Sequence, residues 1–247
     1  MTPDPTRFIL VQPKHAGNVG AAARAIKVMG FTHLVLVRPR LADVCRHADA
    51  VAMASGAADV LTQARVVDTL EEALAGVTHA LATAMTPRDF GPPTSSPRDH
   101  LPTRVAGRTE RGEVLGFVFG TERFGLSNDD VYRCHTCLSI PAEEAYGSLN
   151  LAQAVQVIAY EWRQALGSHA VAPRTAPTQL ADASAVQGVL SHWQQVLVDI
   201  GFLDPASPKK LMPRLNQLLN RAELSADEVH ILRGIARAVG EAARGRR

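Results

Sequence analysis

Short runs of aliphatic and β-branched residues recur through the first two-thirds of the chain, each separated from the next by a longer helix-like stretch. This alternation constrains the fold more than any other feature, because two parallel strands can be joined only by a long crossover, usually a helix. Phe8-Ile-Leu-Val-Gln12 reads as a buried strand, and Asn18 to Met29 as an Ala-rich helix closed by Gly30. His33-Leu-Val-Leu-Val37 reads as a second strand, ended by Arg38-Pro39. Ala48 to Leu61 has helical character with a break near Ser55-Gly56, and Arg65-Val-Val67 is a short strand. Thr69 caps a helix through Ala75, with Glu72 three residues on to complete a capping box. Thr78 to Thr83 and Val114 to Phe119 are further strands, and Asn150 to Leu166 is a long amphipathic helix. Together they predict an α/β domain over residues 1–166, with a mostly parallel sheet and helices on both faces.

A Gly/Pro/Thr-rich segment, residues 167–178, reads as a linker. Beyond it no strand signal remains. Leu180–Ile200, Lys209–Asn220 and Ala226–Ala243 read as three helices, the last with Ser225 and Glu228 as a capping box. Residues 179–247 are therefore expected to form a small helical extension, marginal as an independent core and packed on the first domain or on a second subunit. No apolar run approaches the ~18 residues of a membrane span, so no membrane contact is expected. Met1–Arg7 shows no apolar stretch behind a basic patch, and so no leader is expected there. Three cysteines make no disulfide framework, which points to a reducing, cytoplasmic setting.

The net charge of +2 conceals an asymmetry. Residues 1–40 hold six Lys/Arg against one acid and residues 205–247 nine against four, whereas residues 41–204 hold eleven against nineteen. Two basic ends around an acidic centre fit a polyanionic partner touching both; a solvated surface is the plainer reading.

In an open parallel sheet, ligands sit in loops at the carboxyl ends of the strands. Three such loops are rich in polar residues and glycine. The first, Gln12-Pro-Lys-His-Ala-Gly-Asn-Val-Gly20, runs into the helix carrying Arg24; Gly17 and Gly20 allow a phosphate or backbone to approach closely. It is neither the dinucleotide fingerprint nor a phosphate-binding P-loop, which disfavours nicotinamide and nucleoside-triphosphate chemistry. The second, Phe119-Gly-Thr-Glu-Arg-Phe-Gly-Leu126, sets a carboxylate and a guanidinium between glycines after an apolar strand. A surface Arg–Glu pair is the plain alternative. The third runs from Ile140-Pro141 through Tyr146-Gly-Ser-Leu-Asn150, where helix capping alone accounts for Ser148 and Asn150.

Taken together, Asn-x-Gly-Ala-Ala-Ala-Arg (Asn18 to Arg24), Phe-Gly-Thr-Glu-Arg-Phe-Gly-Leu (Phe119 to Leu126) and Ile140-Pro141 with Ser148-Leu-Asn-Leu-Ala152 resemble the three motifs of the SPOUT RNA methyltransferases, in order and spacing. Within that superfamily the chain is most similar to the TrmJ family of tRNA ribose 2′-O-methyltransferases. That likeness includes Asn150 through Glu161 and, in the tail, His230-Ile-Leu-Arg-Gly234. The resemblance implies a SPOUT fold with a carboxyl-terminal trefoil knot. It implies S-adenosylmethionine as cofactor, S-adenosylhomocysteine as product and no metal. Positions matching the family's cofactor contacts are Thr83, Ala84, Met85, Gly120, Ile140, Gly147, Ser148 and Leu149. A homodimer is implied, with Asn18–Met29 and Asn150–Leu166 as interface helices. The substrate implied is tRNA, at cytidine or uridine 32 of the anticodon loop. Ribosomal RNA ribose methylation and a non-catalytic RNA-binding homologue are the alternatives.

The catalytic set carried over is Arg24, Asn18, Glu122, Ser148 and Asn150. A guanidinium keeps its proton up to pH ~12, so Arg24 is expected to stabilise an oxyanion or a phosphate rather than act as a base. Asn18 and Asn150 are expected to orient it and the loops, and Glu122 and Ser148 to hold loop geometry or the cofactor. RNA phosphates are expected at Lys14, Arg24, Lys27, Arg123, Lys209, Lys210, Arg214 and Arg221. With aromatics at 5%, base stacking is expected to contribute little. The chain has Gly147 where relatives often carry Ser and Gln153 where Met is common, and Asp89 to Arg98 has no counterpart that could be matched. Cys134-His-Thr-Cys137 imitates a metal half-site but lacks partner ligands and precedes a strand expected at Leu138-Ser-Ile140, so these cysteines are expected to be buried and apolar. Trp162 and Trp193 are expected to serve core or interface packing.

Overall fold

The computed structural model describes residues 4–143, 145–167 and 179–245. The chain divides into two compact units, Met1–Ala170 and Val171–Arg247. Most of the expected linker, from residue 168 to 178, lies outside the described residues.

In the first unit the elements run β1 (Arg7–Val11), α1 (Ala16–Val28), β2 (His33–Val37), α2 (Ala48–Ala54), α3 (Ala58–Gln63), β3 (Arg65–Val67) and α4 (Leu70–Leu74). They continue with β4 (His79–Thr83), β5 (Thr94–Ser95), α5 (Pro97–Arg111), β6 (Leu115–Phe119), α6 (Asn128–Tyr132), β7 (Thr136–Leu138) and α7 (Leu151–Ala165). The strands form one sheet in the order β3-β2-β1-β6-β4-β7-β5, and every pairing is parallel. The expected parallel α/β domain is therefore what the chain forms.

Strand period explains the two cores. Successive side chains point to opposite faces. Phe8 and Leu10 join Phe117, Phe119, Val19, Ile26 and Trp162 on one face. Ile9 and Val11 join Val35, Val37, Val118, Leu70 and Val131 on the other. Both faces are covered, which is why β6 is buried at every position and shows no polar alternation.

Helix α1 packs against both α2 and α7. Its contact with α2 needs Gly20: a Cβ there would lie 2.0 Å from the carbonyl oxygen of Ala50. Close backbone approach is thus the use of this glycine, and the backbone that approaches belongs to α2. Helix α7 is anchored at its far end, where Trp162 is buried and donates its indole N–H to Thr6 Oγ1 at 3.0 Å. Arg163 donates to the Met29 carbonyl at 2.6 Å, closing the end of α1, and stacks over Phe31.

Three local readings change. Asp89 to Arg98, which offered no motif, opens β5 and α5; Ser96 caps that helix by accepting from the Asp99 N–H, Pro97 takes its first turn and Gly112 ends it at φ +64°. The strand expected at Leu138–Ile140 runs Thr136–Leu138, so Cys137 lies within it instead of preceding it. Thr69 caps α4 as expected, but Glu72 accepts from the Asp68 N–H, one residue before the position a capping box requires.

The second unit holds α8 (Ala183–Asp199), α9 (Leu211–Ala222) and α10 (Ala226–Arg244), around Val186, Val189, Leu190, Leu219 and Val229. Ser225 and Glu228 form the expected capping box at α10.

Candidate active site

The loops after β4, β6 and β7 meet at the carboxyl edge of the sheet and enclose a cavity of about 320 Å³. Its floor is apolar, from Phe119, Leu138, Leu151 and Ala154, and its walls are the backbone-rich segments 83–86, 120–126 and 147–149. All eight positions expected to contact the cofactor line it: Thr83, Ala84, Met85, Gly120, Ile140, Gly147, Ser148 and Leu149. Sequence reasoning missed Arg88 and Phe124, which also line it. Arg88 Nε is buried with no hydrogen-bond partner among the described residues, although its Nη1 donates to the Thr86 carbonyl. An apolar floor for a heterocycle and a wall of backbone amides with an unanswered donor suit an organic nucleoside carrying polar substituents.

Two glycines shape the walls. A Cβ on Gly120 would fall 2.0 Å from the carbonyl carbon of Gly125, so the loop folds back on itself only without one. The fold-back is fastened by paired backbone bonds between Thr121 and Gly125 at 3.0 and 2.9 Å, with Gly125 at φ +67°. A Cβ on Gly147 would meet Met85 Sδ at 3.0 Å and the Glu143 carbonyl oxygen at 3.1 Å.

A polar chain binds together the loops that follow β1, β6 and β7. The Glu122 carboxylate accepts the backbone N–H groups of Lys14 and His15, at 3.0 Å each, and the Asn18 side-chain amide at 3.1 Å. Asn18 Oδ1 in turn accepts from Asn150 Nδ2 at 3.0 Å. Asn150 caps α7, accepting from Ala152 N–H, and forms a capping box with Gln153. Glu122 therefore serves the unsatisfied amides at the start of α1, where the helix dipole also favours negative charge. Partial burial opposes its ionisation, but the Asn18 bond and the backbone N–H donors outweigh that and hold its carboxyl below the usual range. The plain surface pairing of Glu122 with Arg123 is not what the fold makes of these two residues: Arg123 lies over the Phe124 ring, 5.1 Å from its centroid.

Of the catalytic set, Asn18, Glu122 and Asn150 are brought together and Ser148 lines the cavity beside them. Arg24 is not. It is exposed on α1, outside the cavity lining, with no hydrogen bond or ion pair among the described residues. Lys27 is engaged elsewhere, donating to Asp59 at 2.7 Å and to the Gly56 carbonyl at 2.8 Å. Lys209, Lys210, Arg214 and Arg221 are exposed in the second unit, and Lys210, Arg214 and Arg221 share one helical face by spacing. Cys134 and Cys137 are buried; burial pushes the Cys134 thiol up to about 12 and raises Cys137 as well. They are apolar packing, and among the described residues no group of three or more metal-ligating side chains is present. No helix among the described residues is long and apolar enough to cross a membrane.

Residues 5–160 match the SpoU rRNA Methylase family, and residues 184–247 match the C-terminal domain of the tRNA methyltransferase TrmJ. The tRNA (cytidine/uridine/adenosine-2′-O-)-methyltransferase TrmJ of Pseudomonas aeruginosa is 43% identical over 251 residues, covering 98% of this chain and 96% of that protein. The crystal structure of TrmJ from Z. mobilis is similar at a TM-score of 0.78 and 33% identity, over 95% of this chain and 99% of that one. The SpoU methyltransferase AviRb from Streptomyces viridochromogenes, solved in complex with the cofactor AdoMet, shares the fold at a TM-score of 0.53 and 22% identity. That likeness covers 68% of this chain and 63% of AviRb.

Proposed function

The chain belongs to the SpoU methylase family and ends in a TrmJ C-terminal domain, and on that premise we propose that it is a tRNA ribose 2′-O-methyltransferase. The proposed target is cytidine or uridine 32 of the anticodon loop, and the proposed methyl donor is S-adenosylmethionine. The observation that carries the reading is the meeting of three sequence-distant loops around one cavity, with every expected cofactor position on its wall.

The donor, when bound, supplies an already activated methyl group. Phe119, Leu138, Leu151 and Ala154 would seat its apolar portion, and the backbone of 83–86 and 147–149 its polar groups. Glu122 and Asn18 hold the loop at 120–126 against α1, and Asn150 holds the start of α7 against Asn18. Their task is positioning, which can supply much of a barrier reduction when reacting atoms are pre-aligned. Arg24 would stabilise the developing charge on the ribose oxygen. Because it stands outside its own chain's cavity, we assign it to a site completed across a homodimer, with α1 and α7 at the interface. Lys14, Arg123, Lys209, Lys210, Arg214 and Arg221 would contact phosphates, in a reducing cytoplasm; Lys27, held by Asp59, is left out. The family's fold implies that the carboxyl-terminal part of this domain is threaded into a trefoil knot.

The test is tritiated methyl incorporation into total tRNA and into ribosomal RNA, followed by mass-spectrometric mapping of the modified nucleotide. Arg24→Ala is expected to abolish transfer while cofactor affinity, by calorimetry, stays nearly intact. Near-wild-type turnover of that variant refutes the role of Arg24. Incorporation only into ribosomal RNA, or into neither RNA, overturns the tRNA reading.

A further inference from the structure

Low aromatic content argued against base stacking, but the structure concentrates exposed rings around the cavity. Phe124 is 70% exposed, and Phe90 and Tyr146 are more exposed still, each within two residues of a lining position. Phe124 differs from the other two in its surroundings. Lys14 Nζ lies 5.4 Å from its ring centroid and Arg123 Cζ 5.1 Å from it, from two different loops. Its backbone is fixed: its N–H donates to Thr121 Oγ1 at 3.2 Å inside the fold-back that Thr121 and Gly125 close. That loop is tied to α1 through Glu122. The ring stands on a wall shared by the cofactor cavity and a second cleft of about 480 Å³ that includes Gln12 and Arg38. Both of these residues adopt positive φ, at 48° and 44°, a strained backbone at adjacent strand ends.

A phenylalanine 70% exposed, on a fastened loop beside two cations, adds little to the core. Nucleotides offer both complements: a flat base for the ring and a phosphate for each cation. We propose that Phe124 is a base-stacking platform for the RNA loop, with Lys14 and Arg123 moving from the ring to flanking phosphates when a base takes their place. This rests on the proposed RNA methyltransferase reading and adds a positioning residue to it. The second cleft carries mixed charge, Glu71, Asp129 and Asp130 against Arg38 and Arg133, which leaves the ring face as the recognition element.

The experiment uses the full-length protein with a tRNA anticodon stem-loop carrying 2-aminopurine at each loop position in turn. Wild-type protein is expected to quench the probe at one or two positions. Phe124→Leu, which keeps apolar bulk without a π face, is expected to lose that quenching. It should also raise KM for tRNA between about fivefold and about a hundredfold. Phe124→Trp is expected to restore both, and calorimetry should show S-adenosylmethionine affinity within about twofold of wild type in all variants. Wild-type KM and quenching in Phe124→Leu overturn the proposal. So does a matching loss of S-adenosylmethionine affinity, which would assign the ring's effect to cofactor binding instead of RNA stacking, or a changed oligomeric state, which would make it an interface residue. If the wild-type protein methylates no tRNA, the functional reading has failed, independently of any variant.

Discussion

Replacing Glu122 by Gln isolates what its charge does for the site. The carboxylate takes three donors, the N–H groups of Lys14 and His15 and the Asn18 amide. Glutamine preserves the shape and keeps one oxygen, but it turns an N–H₂ toward the Lys14 amide, which now divides its bond between both oxygens at 3.1 and 3.0 Å. Bonds to a charged acceptor are roughly twice as strong as neutral ones, and an unanswered donor costs about 1–3 kcal/mol when buried. Since the group is only partly buried, a loss of about 1–2 kcal/mol is expected. For a domain of this size that lowers Tm by about 2–8 °C. The sign of the pH dependence follows from the lowered carboxyl pKa in the fold. Stability contributed by the charge is fully present above the unfolded value of about 4.3 and is lost as pH falls through the lower folded value. The gap between wild type and Glu122→Gln should hold from about pH 8 to about 5 and close in acid. Calorimetric melts across that range measure it, and amide exchange at Lys14 and His15 should quicken in the variant. An equal gap at about pH 3 and about pH 7, or no gap at neutral pH, refutes the argument.

Gly20→Ala would put a methyl group 2.0 Å from the Ala50 carbonyl oxygen, backbone against backbone, so α1 and α2 must separate. A loss at or above the usual overpacking range of about 1–3 kcal/mol is expected in denaturant unfolding; a neutral variant would show that the helices slide freely. His79 stacks on His135 and His100, and burial, with Arg104 and the two imidazoles behind it, lowers its pKa to about 4. Neutral His79 therefore supports the fold above about pH 6.5, and that support is lost as pH falls from there through about 4. His79→Gln should flatten the stability profile over this interval, and an unchanged slope would assign the acid sensitivity to other groups.

What was legible in the sequence was local. Phe8–Gln12 and Val114–Phe119 declare themselves as buried strands because both faces of a parallel sheet are covered, and their apolar runs have no polar interruptions. Asn150 announces α7 because capping is a one-turn interaction. Helix α5 escaped notice although Ser96, Pro97 and Asp99 mark its start: Pro102 lies inside it, and Leu101 is a rare fully buried position on a polar surface. At the site, the residue types were readable but their partners were not. Glu122 reads as a holder of loop geometry or cofactor, with Arg123 as the plain alternative mate, and only the fold reveals that the start of α1, more than a hundred residues earlier, claims the carboxylate. Phe124 stands inside the second motif with Arg123 beside it, but its exposure and the approach of Lys14 come from two loops that meet only in three dimensions.

The same allocation of contacts bears on how a ribose hydroxyl could lose its proton. Glu122 is the carboxylate of the second motif, yet its oxygens are filled by three donors and its carboxyl is held in the ionised, weakly basic range. Asn18 and Asn150 are amides engaged with each other, and Ser148 is a neutral hydroxyl. Arg24 keeps its proton at any physiological pH. Among these residues none is a ready base, whereas the polar chain supplies a frame that fixes three loops, and the proposed homodimer would add the positive charge of Arg24. A nucleophile that meets an activated methyl group gains most from alignment and from a cation beside the nascent oxyanion, and its proton can leave to water. The carboxylate in the second motif is thus a fastener of the frame, and removing it should loosen alignment without removing a proton acceptor.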